Sequence, residues 1–323
     1  MEYQEFVEQI KQKVTEQAEE GSKVSVSRIL KNNLEPVDGL TILHQGENVA
    51  RAIWLNPLYQ KYEYGIPVER IAEEILEYHK KERQEGVCDL SFYTDFSKVQ
   101  NHIACKLVHY GMNRTLLEEV PHRAFLDLAV VYYYRVEDER FGNASILVKN
   151  DHMRIWHTDP ETLHALAMRN TPRLLPYELT DILELIRQIS NVDPGMIRQI
   201  SDADPGMLRQ ISNADPGMLR QDPPMYVLTN TEKSFGASAI LFPAILQAVR
   251  ARLQSDYYVL PSSIHECIII PSDKQLDPEA LHEMVKEINE EHVAPEELLG
   301  DSVYRYSQKS QRLEIVFSAE VIL

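Results

Sequence analysis

Residues Leu126–Val136 read LDLAVVYYYRV. β-Branched, aromatic and apolar side chains follow one another throughout, the strongest strand signal in the chain, so the segment predicts a core β-strand. Downstream, Ala144–Val148 and Met153–His157 flank Asn150-Asp151 and predict a hairpin. Asp159-Pro160-Glu161 then opens a helix over Thr162–Arg169, which Pro172 and Pro176 break; Tyr177–Gln188 reads as helix again. Upstream, Val99, Ile103 and Leu107 stand four apart, which predicts a helix within Phe96–Tyr110, followed by a helix over Arg114–Val120 that stops at Pro121.

The outer parts have the same mixed grammar. Phe6, Ile10 and Val14 predict an amphipathic helix over 3–19, ended by Gly21. Lys23–Leu30, Gly39–Leu43 and Val49–Leu55 read as strands, the last two joined as a hairpin through Gln45–Asn48, and Val68–Lys81 reads as helix. Past residue 224, strands are expected at Met225–Thr229, Tyr257–Leu260 and Glu266–Ile270. Helices are expected near 237–253 and over Ala280–Glu291, and Val303–Ser307 with Leu313–Phe317 form a closing hairpin. Strands come as hairpins and do not alternate with crossover helices, so the fold class is α+β, not a doubly wound parallel sheet. The expected organisation is two or three small mixed units with flanking helices: 1–85, 86–185 and 222–323, with an insert at 186–221. Pro67-Val68-Glu69, Asp159-Pro160-Glu161 and Asp277-Pro278-Glu279 each open a helix after a strand pair. They read either as three related modules or as the usual helix-start chemistry.

The insert is a tandem repeat: IRQISNVDPGM, IRQISDADPGM and LRQISNADPGM, three 11-residue units, followed by LRQ and Asp222-Pro223-Pro224. Asp193, Asp204 and Asp215 can cap a helix whose first position is the following Pro. Pro and Gly inside one continuous helix would cost about 4 kcal/mol per unit. The repeat therefore reads as short broken helices, either a small arm for a partner or a copied connector that the fold tolerates.

Composition limits the function classes. Lys plus Arg is 33 and Asp plus Glu is 50, a net charge of −17 over 323 residues. That argues against nonspecific nucleic-acid binding, which depends on a cationic surface, and leaves room for a basic protein partner. Cys88, Cys105 and Cys267 are scattered and odd in number, with no CxxC, so neither a disulfide framework nor a cysteine zinc site is expected. The N-terminus lacks the apolar core of a signal peptide, and no apolar run reaches the roughly 20 residues needed to span a bilayer. A cytoplasmic location is expected, with no membrane association and an open oligomeric state.

No GxxxxGK[ST], GxGxxG, HExxH or GxSxG occurs. Two segments remain as candidates. Ser263, His265 and Glu266 lie in the connection Ser262–Glu266, and Ser263 and His265 share a face if that stretch is extended. They could supply a nucleophile, a base and an orienting carboxylate, or they could simply build a tight β-connection. Lys233, Gly236 and Ser238 lie in the Thr229–Ser238 loop between a strand and a helix, where they could hold an anion. For an enzyme, both segments would have to meet at one sheet edge as two walls of a pocket. The eleven histidines show no trusted ligand spacing, so no metal and no cofactor is expected.

FLDLAVVYYYRV, NTPRLLP at Asn170–Pro176, MYVLTNTEKSFGASAIL, YYVLPSSIHECIIIP and the DGLTIL…NVARAIWLN segment resemble an uncharacterised domain family of gut Clostridia. The resemblance covers nearly the whole chain outside residues 186–221. It implies a bacterial intracellular protein and assigns no activity, substrate or catalytic residues. The repeat departs from that pattern, which leads straight from near Leu185 to Met225. The expected function is a non-enzymatic binding or regulatory protein, with the two-walled pocket as the enzymatic alternative.

Overall fold

A computed structural model describes residues 1–83, 87, 90–138, 142–184, 224–272 and 276–319. The repeat and Cys88 lie outside the described residues. The chain forms two compact units, Met1–Thr94 with Asp138–Gly142, and Asp95–Glu137 with Asn143–Leu323.

In the first unit α1 (Tyr3–Gln17), α2 (Leu55–Glu63) and α3 (Val68–Glu82) cover one sheet, and α4 (Ser91–Thr94) follows. The sheet is β1 (Lys23–Ile29), β2 (Val37–Leu43) and β3 (Ile53–Trp54), all antiparallel. Its main ladder is β1–β2, from Lys23↔Leu43 to Ile29↔Val37. The hairpin expected across Gln45–Asn48 shrinks to Gly39↔Trp54 and Leu40↔Ile53, because Leu55 already begins α2. Phe6, Ile10 and Val14 of α1 meet Ile71 and Ile75 of α3 over Leu40 and Ile42, which places the expected apolar stripes in one core.

The second unit contains two sheets. The smaller has the order β4-β6-β5, from β4 (Ile103–His109), β5 (His122–Phe125) and β6 (Leu128–Asp138), with β7 (Gly142–Leu147) also on β6. Leu126 has φ +57°, so the run quoted first splits into a tight β5–β6 turn and a strand that begins at Leu128. α5 (Phe96–Val99) precedes β4 and α6 (Arg114–Glu119) precedes β5. α7 (Asn150–Ile155) and α8 (Pro160–Leu174) follow β7. The larger sheet has the order β13-β12-β10-β11-β9-β8. Its strands are β8 (Tyr177–Asp181), β9 (Tyr226–Asn230), β10 (Tyr257–Leu260), β11 (Cys267–Pro271), β12 (Val303–Ser307) and β13 (Arg312–Phe317). Every described pairing is antiparallel, and the fold is α+β. α9 (Pro243–Leu253) and α10 (Pro278–His292) complete the unit. Tyr258, Ile268, Ile270 and Val303 pack against Leu281 and Val285 of α10, while the Tyr257 hydroxyl donates to the Leu246 carbonyl of α9 at 3.0 Å. Adjacent residues of β10 thus anchor helices on opposite faces.

Four expectations are corrected. Residues 103–109 are a strand, because side chains four apart share a face in a strand as well as in a helix, and pairing with β6 from Ile103↔Tyr134 to His109↔Leu128 decides it. Asn150-Asp151 starts a helix, not a turn: the His152 ring accepts the Lys149 N–H at 2.9 Å, as a capping residue does. α8 runs through Pro172 to Leu174. Residues 177–181, expected as helix, form the outer strand beside β9, and this segment at the end of the expected middle unit joins the C-terminal sheet. The helix starts at Asp159 and Asp277 are as expected, with each carboxylate accepting a backbone N–H, at 2.9 Å from Thr162 and 3.1 Å from Glu279.

Candidate functional site

The two candidate segments of the second unit do come together, because β9 and β11 are neighbours. The Thr229 hydroxyl donates to the His265 carbonyl at 2.8 Å, and the Phe235 N–H donates to His265 Nδ1 at 3.2 Å. The Phe235 and His265 rings stack with an interplanar angle of 14°. Gly236 is pressed against this contact: a methyl group there would overlap Thr229 Oγ1 and the His265 carbonyl. Asn230 shapes the loop, its Oδ1 accepting the Glu232 N–H at 3.0 Å and its Nδ2 donating to the Ser234 carbonyl at 2.7 Å. Lys233 and Phe235 both adopt left-handed φ, at +53° and +56°, a conformation costly for side chains of this size.

Each group at this contact already has an internal task. The Ser263 hydroxyl is buried and accepts the N–H groups of His265 and Glu266 at 3.1 and 3.2 Å. Since His265 Nδ1 is an acceptor, its proton sits on Nε2, 3.6 Å from Glu297 Oε1. The His265 ring is therefore oriented by Phe235 and Glu297 and is not aligned as a base for Ser263. Lys233 forms an ion pair with Glu178. The Ser238 hydroxyl and N–H both donate to the Phe235 carbonyl, and the Ala237 N–H donates to the Ile264 carbonyl, so those donors point into the protein and not toward an anion.

One residue here was not legible in the sequence. Lys106, on β4, places Nζ 4.4 Å over the Phe235 ring. Burial lowers its pKa to about 8. A single cation in an apolar strand gave a faint hint, but nothing in the sequence names Phe235 as its partner.

The first unit holds a second polar cluster, assembled from residues far apart in sequence. His44 Nε2 and His79 Nε2 lie 2.9 Å apart. His44 Nδ1 faces Ser22 Oγ at 3.0 Å and Glu19 Oε2 at 3.2 Å. Arg83 bridges the surrounding carboxylates, with Nε 2.9 Å from Glu47 and Nη1 3.2 Å from Glu19. A carboxylate only accepts, so His44 carries its proton on Nδ1, its Nε2 accepts, and His79 Nε2 donates. Burial, the nearby His44 and the Arg83 guanidinium hold His79 below the ordinary histidine pKa. Gly21, at φ +84°, turns the chain from α1 into β1 and sets Glu19 and Ser22 beside β2. The pair walls a cavity of about 140 Å³ with an apolar floor of Ile42 and Leu76 and a polar rim that includes Glu19 and Lys80. Ser22 does not line this cavity, so the Ser22–His44–His79 chain offers it no nucleophile.

Among the described residues no group of three or more His, Cys, Asp or Glu side chains is placed to hold a metal ion, and no helix is long and apolar enough to cross a membrane. Cys105 and Cys267 are buried thiols, the first pushed up to about 11 by burial.

A family model described as a family of unknown function (DUF5688) matches residues 3–308, from the start of α1 to just past β12. The chain belongs to that family. DUF5688 membership assigns no reaction. No curated protein and no solved structure matches the chain. For this member of DUF5688, chemistry therefore has to be argued from the two clusters themselves.

Proposed function

We propose that the protein is a non-enzymatic binding or regulatory protein, bacterial and cytoplasmic, whose ligand pocket is the cavity beside His44 and His79. The observation that carries this reading is the 2.9 Å contact between the two Nε2 atoms, held from behind by Ser22 and Glu19. It fixes two amphoteric rings at the wall of a cavity with an apolar floor and a few convergent polar groups, the lining of a small-molecule site at a size that suits only a very small ligand. Rings held this way lose little freedom on binding, which favours affinity. A small polar molecule with both donors and acceptors suits the rim. A thermal-shift screen of small polar metabolites against the full chain and its His79→Gln variant tests the reading. Compounds that stabilise the wild type and not the variant are expected; a screen in which every hit persists in the variant rejects this pocket.

A second reading has its own observation, the contact between the 229–238 loop and the 262–266 connection. It makes the protein an enzyme with His265 and Glu297 as the proton-handling pair. Hydrolysis of generic ester or phosphoester substrates that disappears in His265→Gln would favour it, and equal rates in both proteins would remove it.

A further inference from the structure

Where β10 begins, β11 ends and β12 turns into β13, the second unit has a shallow, wide-open cleft of about 550 Å³. Arg250 of α9, Arg305 of β12 and Lys309 of the following turn line it, together with Ser255, Ser272 and Asp256. Three cations stand against one carboxylate, in a chain whose net charge is −17. Among the described residues Asp256 pairs with Arg250 alone. Asp256 Oδ1 accepts the Gln308 N–H at 3.0 Å and lies 3.6 Å from Arg250 Nε. Arg250 Nε is buried and has no hydrogen-bond acceptor. Glu314 stands opposite Arg305 across β13, yet among the described residues neither Arg305 nor Lys309 has a carboxylate within 4.0 Å.

From this convergence we propose that the cleft is a binding site for a phosphate group. Guanidinium forks match the oxygens of phosphate, and an ammonium group adds charge without directional demand. The Ser272 side chain adds a hydroxyl at the same opening, while the Ser255 hydroxyl proton is already given to the Asp256 carbonyl. The Ser272 N–H and the Ser255 hydroxyl both donate to the Asp256 carbonyl, at 2.8 and 2.7 Å, tying the strand ends together. The cleft is several times larger than one phosphate, so it has room for the group a phosphate is attached to. Free phosphate and a phosphomonoester share the chemistry recognised here. This site is independent of the cavity beside His44 and His79.

Isothermal titration calorimetry of the full chain at fixed ionic strength, with inorganic phosphate and with glycerol 3-phosphate, tests the site. Saturable binding of at least one is expected, weakened about tenfold or more in Arg305→Gln/Lys309→Gln, two exposed positions whose change leaves the core untouched. Tighter binding of the ester assigns the site to a phosphorylated small molecule, and equal or tighter binding of inorganic phosphate assigns it to the free ion. No saturable heat with either probe overturns the proposal, as does binding that the double variant leaves unchanged.

Discussion

Gly236 lies against the carbonyl of His265, at the point where the Thr229 hydroxyl also reaches that oxygen. The closeness makes glycine a packing requirement between β9, β11 and the loop. Gly236→Ala should cost about 2–3 kcal/mol, at the upper end of overpacking penalties, because two of the three obstructing groups, the His265 carbonyl and the Asn230 N–H, are backbone and cannot swing aside. Urea denaturation measures this, and a midpoint equal to wild type would contradict the contact.

The His44–His79 pair sets a direction for stability with pH. His79 has its pKa lowered, first by burial and then by His44 and Arg83, and burial lowers His152 and His164 too. Each is more easily protonated in the unfolded chain, so its contribution is fully present above the unfolded value of about 6.5 and is lost as the pH falls through the folded value. Glu297, raised by burial, acts oppositely at lower pH. The urea midpoint should therefore fall from neutral pH toward pH 5, and His79→Gln should flatten the decline without abolishing it. An unchanged slope would show that His79 titrates as it does in the unfolded chain.

Lys106 keeps an ammonium group in an apolar strand. Lys106→Met should stabilise the protein by about 1–2 kcal/mol at neutral pH, since desolvation outweighs the cation–π contact. The advantage should narrow between pH 8 and about 10.4, where the wild type regains stability because only the unfolded lysine still holds its proton. A destabilised variant would mean that the contact with Phe235 dominates.

Ile182 N–H donates to the Met225 carbonyl at 3.0 Å, so the chain leaves β8 and enters β9 at neighbouring points. Any connector between them closes the same gap. Deleting Ile197–Met218, two repeat units, should leave the melting transition cooperative and change stability by less than about 1 kcal/mol. Loss of a single cooperative transition would show that the repeat is part of the folded core.

Legibility followed the range of the interactions. The helix starts at Asp159 and Asp277, the closing hairpin and the β10–β11 pair depend on neighbouring residues and were readable. β4 reads as helix because an apolar strand and a helix segment share spacings of four, and β8 (YELTD) is too short and polar to show a strand pattern; only a partner strand decides either. The meeting of Thr229 with His265 could be posed as a condition, since both segments adjoin strands, but the orientation of Ser263 could not. His44 and His79 lie 35 positions apart, and the Arg250, Arg305 and Lys309 convergence spans two layers and a turn; no local pattern encodes either.

Among the described residues the larger sheet ends in β13 and β8, and β8 has a guarded edge. With Ile182 bonded to β9, the antiparallel alternation turns the Leu179 carbonyl outward. Arg252 reaches from α9 to cap that carbonyl at 2.6 Å. Glu178 and Asp181 add charge along the strand, as Arg312 and Glu314 do on β13. A strand from another molecule would have to displace a guanidinium and desolvate carboxylates before it could pair, so the borders of the sheet oppose edge-to-edge aggregation.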